Sequence, residues 1–248
     1  MQANEWFKIW FSSSYYDMLY HKRDREEAAM FVDKLADKLK MPGHCFVLDA
    51  ACGKGRHSIA LAEKGFNATG IDICASAVTE AKKYEKDNLH FYLHDIRLPF
   101  HINYFDYVFN FFTSFGYFKT MREHNDAIRT LSKSLKLNGI FTIDYLNMHY
   151  TEENLKNAET VYYGKVKFDI ERWYDEKYFY KSIDVEDKDN DVSETFTEKV
   201  EKFRLGDFTD MLAYQGLQVE YVFGDYKLNT YHIKQSPRMI IIAKKIHN

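Results

Sequence analysis

From Cys45 to Leu146 the chain alternates short apolar runs with amphipathic stretches, and few architectures accept that rhythm. "CFVLD", "NATGID", "LHFYLHD", "FDYVFNFF" and "IFTIDYL" read as strands. Between them "SIALAEKG", closed by Gly65, and "ASAVTEAKKYEK" read as helices, and a further helix runs through Ile128, Leu131 and Leu135 to Gly139. Such alternation implies right-handed crossovers and a parallel sheet with helices on both faces. After residue 203 come a short helix near "DFTDMLAYQG", a sixth strand "LQVEYVFGDY" and a seventh, "RMIIIAKK". The stretch "KLNTYHIKQSP" between the last two strands is short, polar and without helical periodicity, so it predicts a hairpin, with the sheet closing on an antiparallel edge strand. The expected fold is α/β: a doubly wound, seven-stranded, Rossmann-like sheet whose last strand is antiparallel.

Residues 150–203 break the rhythm. "TVYYGKVKFDIERWY", "KYFYKSIDVED" and "SETFTEKVEKF" are rich in aromatic and β-branched residues, and the polar turn "DKDND" separates the last two. They predict an antiparallel β insertion over the active site, with the acidic turn as a solvated hairpin tip. The chain start carries Trp6, Phe7, Trp10 and Phe11 on one side of an expected helix. Its polar face lacks the basic residues of a membrane-surface helix, so a packed lid is expected. Asp24 reads as an N-cap with Glu27 as its capping-box partner, and Ala28, Phe31, Val32, Leu35, Ala36 and Leu39 follow at helical spacing. The expected organisation is an N-terminal helical cap over 1–40, a core over 41–149 and 204–248, and the insertion over 150–203.

Composition removes several functions. The 248 residues carry a net charge of -3, so no global basic field is present to hold a nucleic acid. Cys45, Cys52 and Cys74 are odd in number and show neither CxxC nor Cys/His ligand spacing, which argues against a disulfide framework and a zinc site and for a reducing cytoplasm. His90 and His94 share a strand face without a third ligand, so no metal is expected. No run of eighteen apolar residues occurs and the N-terminus has no signal-peptide pattern, so a soluble, unexported protein without membrane partners is expected.

"VLDAACGKGRH" runs a strand into a glycine bend. In a dinucleotide site GxGxxG would follow, with pyrophosphate on the helix N-terminus. Here Gly53 and Gly55 supply the bend, but Ser58 stands at the third glycine and Asp49 at the strand end. Two like charges about 4 Å apart repel by roughly 4 kcal/mol at an effective dielectric of about 20, so a diphosphate fits poorly and a sulfonium or ammonium well. Asp72, at the end of the second strand and 17 residues past Gly55, is placed to bond ribose hydroxyls. A ribose with a positive charge and no diphosphate describes S-adenosylmethionine. Helix capping for Asp49, strand termination for Asp72 and turn capping for Asp95 are the plain structural alternatives.

"VLDAACGKGRHS", "GIDIC", "LHD" and "FDYVFNFFTSFGYF" together resemble the class I S-adenosylmethionine-dependent methyltransferases, from about residue 15 to the end. The likeness is to the small-molecule branch with sugar-amine and glycine-type N-methyltransferases. It implies a seven-stranded sheet with an antiparallel last strand. It further implies that Asp49, Cys52, Gly53 and Gly55 serve the methionine end, Asp72 and Ile73 the ribose and adenine, and Asp95 with Ile96 the adenine amino group. Asn110 and Phe111 would lie along the methionine tail.

Methyl transfer is an in-line displacement from an already activated sulfonium, so alignment and desolvation are the protein's main tasks. "YYDMLYHKR", "TSFGYF", "NMHY" and "ERW" are the candidate acceptor segments. Tyr16 and Tyr20, four apart, are placed either to close over the cofactor or to pack in the core. His149 is a candidate base and Arg172 a candidate anion holder; His21 and Arg23 have the same two chemistries, with surface roles as the alternative. The reading is methyl transfer from S-adenosylmethionine to a nitrogen or oxygen of a small polar metabolite, nitrogen favoured, by a monomer or homodimer. An RNA or protein methyltransferase, a non-catalytic S-adenosylmethionine-binding module and a nicotinamide dehydrogenase are the alternatives.

Overall fold

The structure, a computed structural model, describes residues 6–20 and 25–247. The sites named above at His21, Arg23 and Asp24 lie outside the described residues. Three N-terminal helices, α1 (Trp6–Trp10), α2 (Ser14–Leu19) and α3 (Arg25–Leu39), precede the alternating region. That region comprises β1 (Phe46–Ala50), α4 (Arg56–Glu63), β2 (Asn67–Asp72), α5 (Ala75–Lys82), β3 (Leu89–Leu93), β4 (Phe105–Asn110), α6 (Met121–Ser134) and β5 (Leu135–Leu146). A short helix, α7 (Met148–Glu153), leads into β6 (Ala158–Tyr163), β7 (Val166–Tyr174), β8 (Tyr178–Asp187) and β9 (Val192–Glu201). The chain returns through α8 (Leu205–Tyr214) to β10 (Leu217–Phe223) and β11 (Arg238–Lys245).

Seven strands form one sheet in the order β10-β11-β5-β4-β1-β2-β3. β1 to β5 pair in parallel, and β11 runs antiparallel to both its neighbours. The last strand is antiparallel as expected, but it is not the edge; it lies between β5 and β10. Its sequence explains why. Ile240, Ile241 and Ile242 leave no exposed surface, which suits a strand covered on both faces, whereas β10 exposes Tyr221 and tolerates an edge.

Alternation along each strand feeds two cores. Leu48, Val108 and Phe141 pack with Ile128 and Leu131 of α6 and Phe208 of α8 on one face. Val47, Tyr107 and Phe109 pack with Phe31 and Leu35 of α3 and Leu61 of α4 on the other. The helix expected to reach Gly139 stops at Ser134. Leu135 keeps the helical spacing of Ile128 and Leu131 yet is extended, because it already pairs with Phe105 at the start of β5.

The insertion is a four-stranded antiparallel sheet, β6-β7-β8-β9. "TVYYGKVKFDIERWY" spans two strands folded back at Gly164, whose φ of 61° suits a two-residue hairpin. α1 and α2 lie against this sheet, where Trp10 packs with Phe168, Ile183 and Phe196. Among the described residues of the N-terminal 40, α1 and α2 pack with the insertion and α3 packs with the core. No helix among the described residues is long and apolar enough to cross a membrane.

Candidate active site

The carboxyl ends of β1, β2, β3 and β4 open on a cavity of about 360 Å³, roofed by α1, α2 and β9. β1 leads into the bend of Cys52, Gly53, Lys54 and Gly55, which turns into α4. Gly55 is left-handed (φ 82°), and a Cβ there would meet the Phe91 ring at 2.5 Å, so glycine at this position fits the bend onto β3. Gly53 is also left-handed (φ 55°), but a Cβ there would meet nothing within 4 Å.

Asp49 lies behind this bend, fully buried and outside the cavity wall. Its Oδ2 accepts a 2.6 Å hydrogen bond from the Ser58 hydroxyl, and burial pushes its carboxyl up to about 6, against the pull of Ser58. Ser58, at the third glycine position of the dinucleotide pattern, is thus the partner of Asp49. Asp72 does line the cavity. Its Oδ2 accepts from the Gly53 N–H (2.7 Å) and its Oδ1 from the Cys74 N–H (2.8 Å). Burial raises its pKa, and those N–H groups resist the rise. The bend N–H that a diphosphate would need is already committed to a carboxylate.

At the end of β3, Asp95 and Ile96 reach the wall. Burial would raise the Asp95 carboxyl, but the Arg97 guanidinium, bonded through Nε and Nη2, holds it below its ordinary value. Phe111 lines the wall beside His57 (ring centroids 4.6 Å), which burial and then Arg56 keep far below its usual pKa and so neutral. Asn110 is buried behind the wall, donating to the Ala50 carbonyl at 2.8 Å; its Oδ1 has no partner among the described residues.

The loop after β4 holds two successive left-handed residues, Phe112 (φ 58°) and Thr113 (φ 57°). Asp144 Oδ2 accepts from the Phe112 N–H (2.8 Å), while Arg238 donates through Nε to Asp144 Oδ1 and through Nη2 to the Thr113 hydroxyl, each at 2.8 Å. This ion pair fixes Phe112 and so the floor of the cavity.

The opposite wall is aromatic: Phe7 and Phe11 of α1 and its following turn, Tyr16 and Tyr20 of α2 and its end, Tyr117 of the β4 loop. The Tyr16 and Tyr20 rings meet at a tilt of 41°, centroids 4.8 Å apart. Burial, then the charge of Glu198, raises the pKa of both hydroxyls, so they stay protonated. The roof is pinned to the bend by Lys54 to Asp17 (2.5 Å) and to the start of α5 by Ser12 Oγ against Cys74 Sγ (2.9 Å).

The cavity thus gathers Tyr16, Tyr20, Cys52, Gly53, Asp72, Ile73, Asp95, Ile96 and Phe111. Asp49, Gly55 and Asn110 support it from behind. His149, on α7, does not reach it, and neither does Arg172: register places Arg172 on β7 beside Lys181 of β8, and its guanidinium is bound to Glu159. Sequence reasoning passed over Glu198 and named Tyr117 only as part of the segment "TSFGYF". Glu198 sits in an ordinary strand alternation, and only pairing opposite Lys181 aims it inward.

These residues fit a cationic nucleoside. A carboxylate accepts about four hydrogen bonds; Asp72 spends two on backbone, leaving two for ribose hydroxyls. Four carboxylates of the wall, Asp17, Asp72, Asp95 and Glu198, face two fixed cations, Lys54 and Arg56. The open space over Gly53 leaves the bend free for close approach.

Residues 43–199 match the family described as methyltransferase domain. YqeM of Bacillus subtilis (strain 168), named provisionally as a methyltransferase, is 27% identical over 212 residues, 80% of this chain and 83% of YqeM. The dTDP-3-amino-3,4,6-trideoxy-alpha-D-glucopyranose N,N-dimethyltransferase of Streptomyces venezuelae is 29% identical over 133 residues, 52% of this chain and 54% of that enzyme. An S-adenosylmethionine-dependent methyltransferase from Clostridium acetobutylicum ATCC 824 superposes with a TM-score of 0.76 at 20% identity, over 92% of this chain and 95% of that one. With the family match spanning well over half its length, and with this sheet and this acid-lined bend, the chain belongs to the class I S-adenosylmethionine-dependent methyltransferases.

Proposed function

We propose that this methyltransferase acts on a nitrogen of a small polar metabolite, in the cytoplasm. The observation that carries the reading is the shape of the cavity: an acid-lined nucleoside half continuous with an aromatic half, together about 360 Å³, under a roof of α1, α2 and β9. Such a space suits a small acceptor; an RNA or protein acceptor calls for an open basic rim, and the wall here is net acidic. The aromatic half favours an acceptor over a purely cofactor-binding role. The likeness to an N,N-dimethyltransferase supports nitrogen. Three buried free cysteines suit a reducing compartment.

S-adenosylmethionine supplies an electrophilic methyl group when bound. Asp72 holds ribose hydroxyls, Asp95 and Ile96 the adenine edge, and the bend with Cys52 and Gly53 the methionine end. Asp49 adds negative potential from behind. Phe111, Phe112 and the tyrosines exclude water and align the acceptor, which is where the rate gain arises. The test is methyl transfer to matched small amines, alcohols and thiols, beside calorimetry with S-adenosylhomocysteine and NAD. Amine methylation with S-adenosylhomocysteine binding is expected. Binding of NAD alone, or transfer only to oxygen or sulfur, overturns the reading.

A further inference from the structure

Glu198 reaches the cavity from β9 and uses its two oxygens unequally. Oε1 accepts from Trp10 Nε1 (2.7 Å) and the Tyr20 hydroxyl (3.1 Å), and Lys181 Nζ stands 3.7 Å from it. Among the described residues, Oε2 accepts no hydrogen bond, and the side chain keeps 17% of its surface accessible. The hydroxyls of Tyr16 and Tyr117 likewise have no hydrogen-bond partner among the described residues. The Phe11 ring stands 5.0 Å from that of Tyr16 and 5.6 Å from that of Tyr117, so three rings surround the space beside the carboxylate.

The negative potential of Glu198 extends through this space. After burial, it is the largest influence raising the hydroxyl pKa of both Tyr16 and Tyr117. A carboxylate fixed through one oxygen and open at the other, among π faces, offers a charge-assisted hydrogen bond and cation–π contact together. Of the nearby cations, Lys181 pairs with Glu198 on the Oε1 side and donates to the Tyr20 hydroxyl at 2.7 Å, while Arg238 pairs with Asp144 and Arg56 with Glu27.

We propose that Glu198 Oε2, flanked by Tyr16 and Tyr117, is the docking point of the acceptor nitrogen, and that the acceptor is a small cationic amine without an adjoining phosphate or carboxylate. This rests on the nitrogen reading above and narrows it. Docked as an ammonium, the acceptor gives one proton to Oε2, which frees its lone pair. That pair forms the bond to the methyl carbon as the carbon–sulfur bond breaks and its electrons stay on sulfur. The product leaves as a methylated ammonium, and Oε2 passes its proton to solvent.

The test uses the whole protein and Glu198→Gln, which keeps an oxygen for Trp10 and Tyr20 and removes the charge. With S-adenosylhomocysteine present, choline is expected to bind the wild type more tightly than its uncharged isostere 3,3-dimethylbutan-1-ol, a preference lost in the variant. In methyl transfer to a panel of small amines, including ethanolamine and phosphoethanolamine, Glu198→Gln is expected to lower kcat/KM by about 10- to 100-fold, mostly through KM. S-adenosylhomocysteine affinity should stay within about twofold, which also reports a folded variant. Equal binding of choline and its isostere, unchanged amine kinetics in the variant, or a preference for phosphoethanolamine overturns the docking point while leaving nitrogen transfer intact. Wild-type transfer to oxygen or sulfur alone overturns the nitrogen reading itself.

Discussion

Ser58 Oγ donates a 2.6 Å hydrogen bond to Asp49 Oδ2, with both side chains buried behind the glycine bend. Burial raises the Asp49 carboxyl to about 6, above its ordinary 3.8, so the folded state binds this proton more tightly than the unfolded chain does. The destabilisation is absent below pH 3.8, grows through the window up to about 6 and is constant above it, reaching about 3 kcal/mol. Asp49→Asn should therefore raise the urea unfolding free energy at pH 8, with the gain shrinking toward pH 4. Ser58→Ala should do the reverse, costing about 1.5–3 kcal/mol at pH 8 and less at pH 4.5. A pH-independent difference in both variants contradicts the assignment.

Asp72 reads ribose if it uses its two remaining lone pairs there. Asp72→Asn should weaken S-adenosylmethionine and S-adenosylhomocysteine alike, by about 10- to 100-fold in calorimetry, as expected for bonds to a charged group. Undiminished affinity removes Asp72 from the site.

Gly53 and Gly55 are both left-handed but meet different surroundings. Gly53→Ala should cost about 1–2 kcal/mol of stability, the strain of the conformation alone. Gly55→Ala adds a clash with Phe91 and should cost about 1–3 kcal/mol more. Thermal or urea unfolding checks the order.

Asp144 and Arg238 form a buried pair whose side chains are 1% and 13% exposed. Arg238→Met leaves a buried carboxylate without its partner and should cost about 3–5 kcal/mol, while the double variant with Asp144→Asn should recover part of that. Because Phe112 and Thr113 depend on the pair, the double variant should remain impaired in turnover. A fully active double variant shows that the loop holds its shape unaided.

Much of the doubly wound core was legible because each strand and helix carries its own period. "NATGID" coincides with β2, and the apolar spacing of α3 names its buried residues Ala28, Phe31, Val32, Leu35 and Ala36, with Leu39 only partly covered. Errors fell where two periods met. Leu135 satisfies the helix pattern of α6 and the strand pattern of β5, and its pairing with Phe105 decides between them. The edge position assigned to β11 failed because hairpin connectivity fixes direction but not which gap in the sheet a strand enters.

The bend, Asp49, Asp72 and Asp95 are determined by sequence, since each sits at the end of a strand that local pattern alone defines, and strand ends share one edge of a parallel sheet. Which of them touch the cavity was decided only in three dimensions, where Ser58 claims Asp49. Glu198 and the position of Arg172 away from the cavity likewise belong to the tertiary structure. Facing in the insertion depends on register between strands, and register is a property of pairs that no single segment contains.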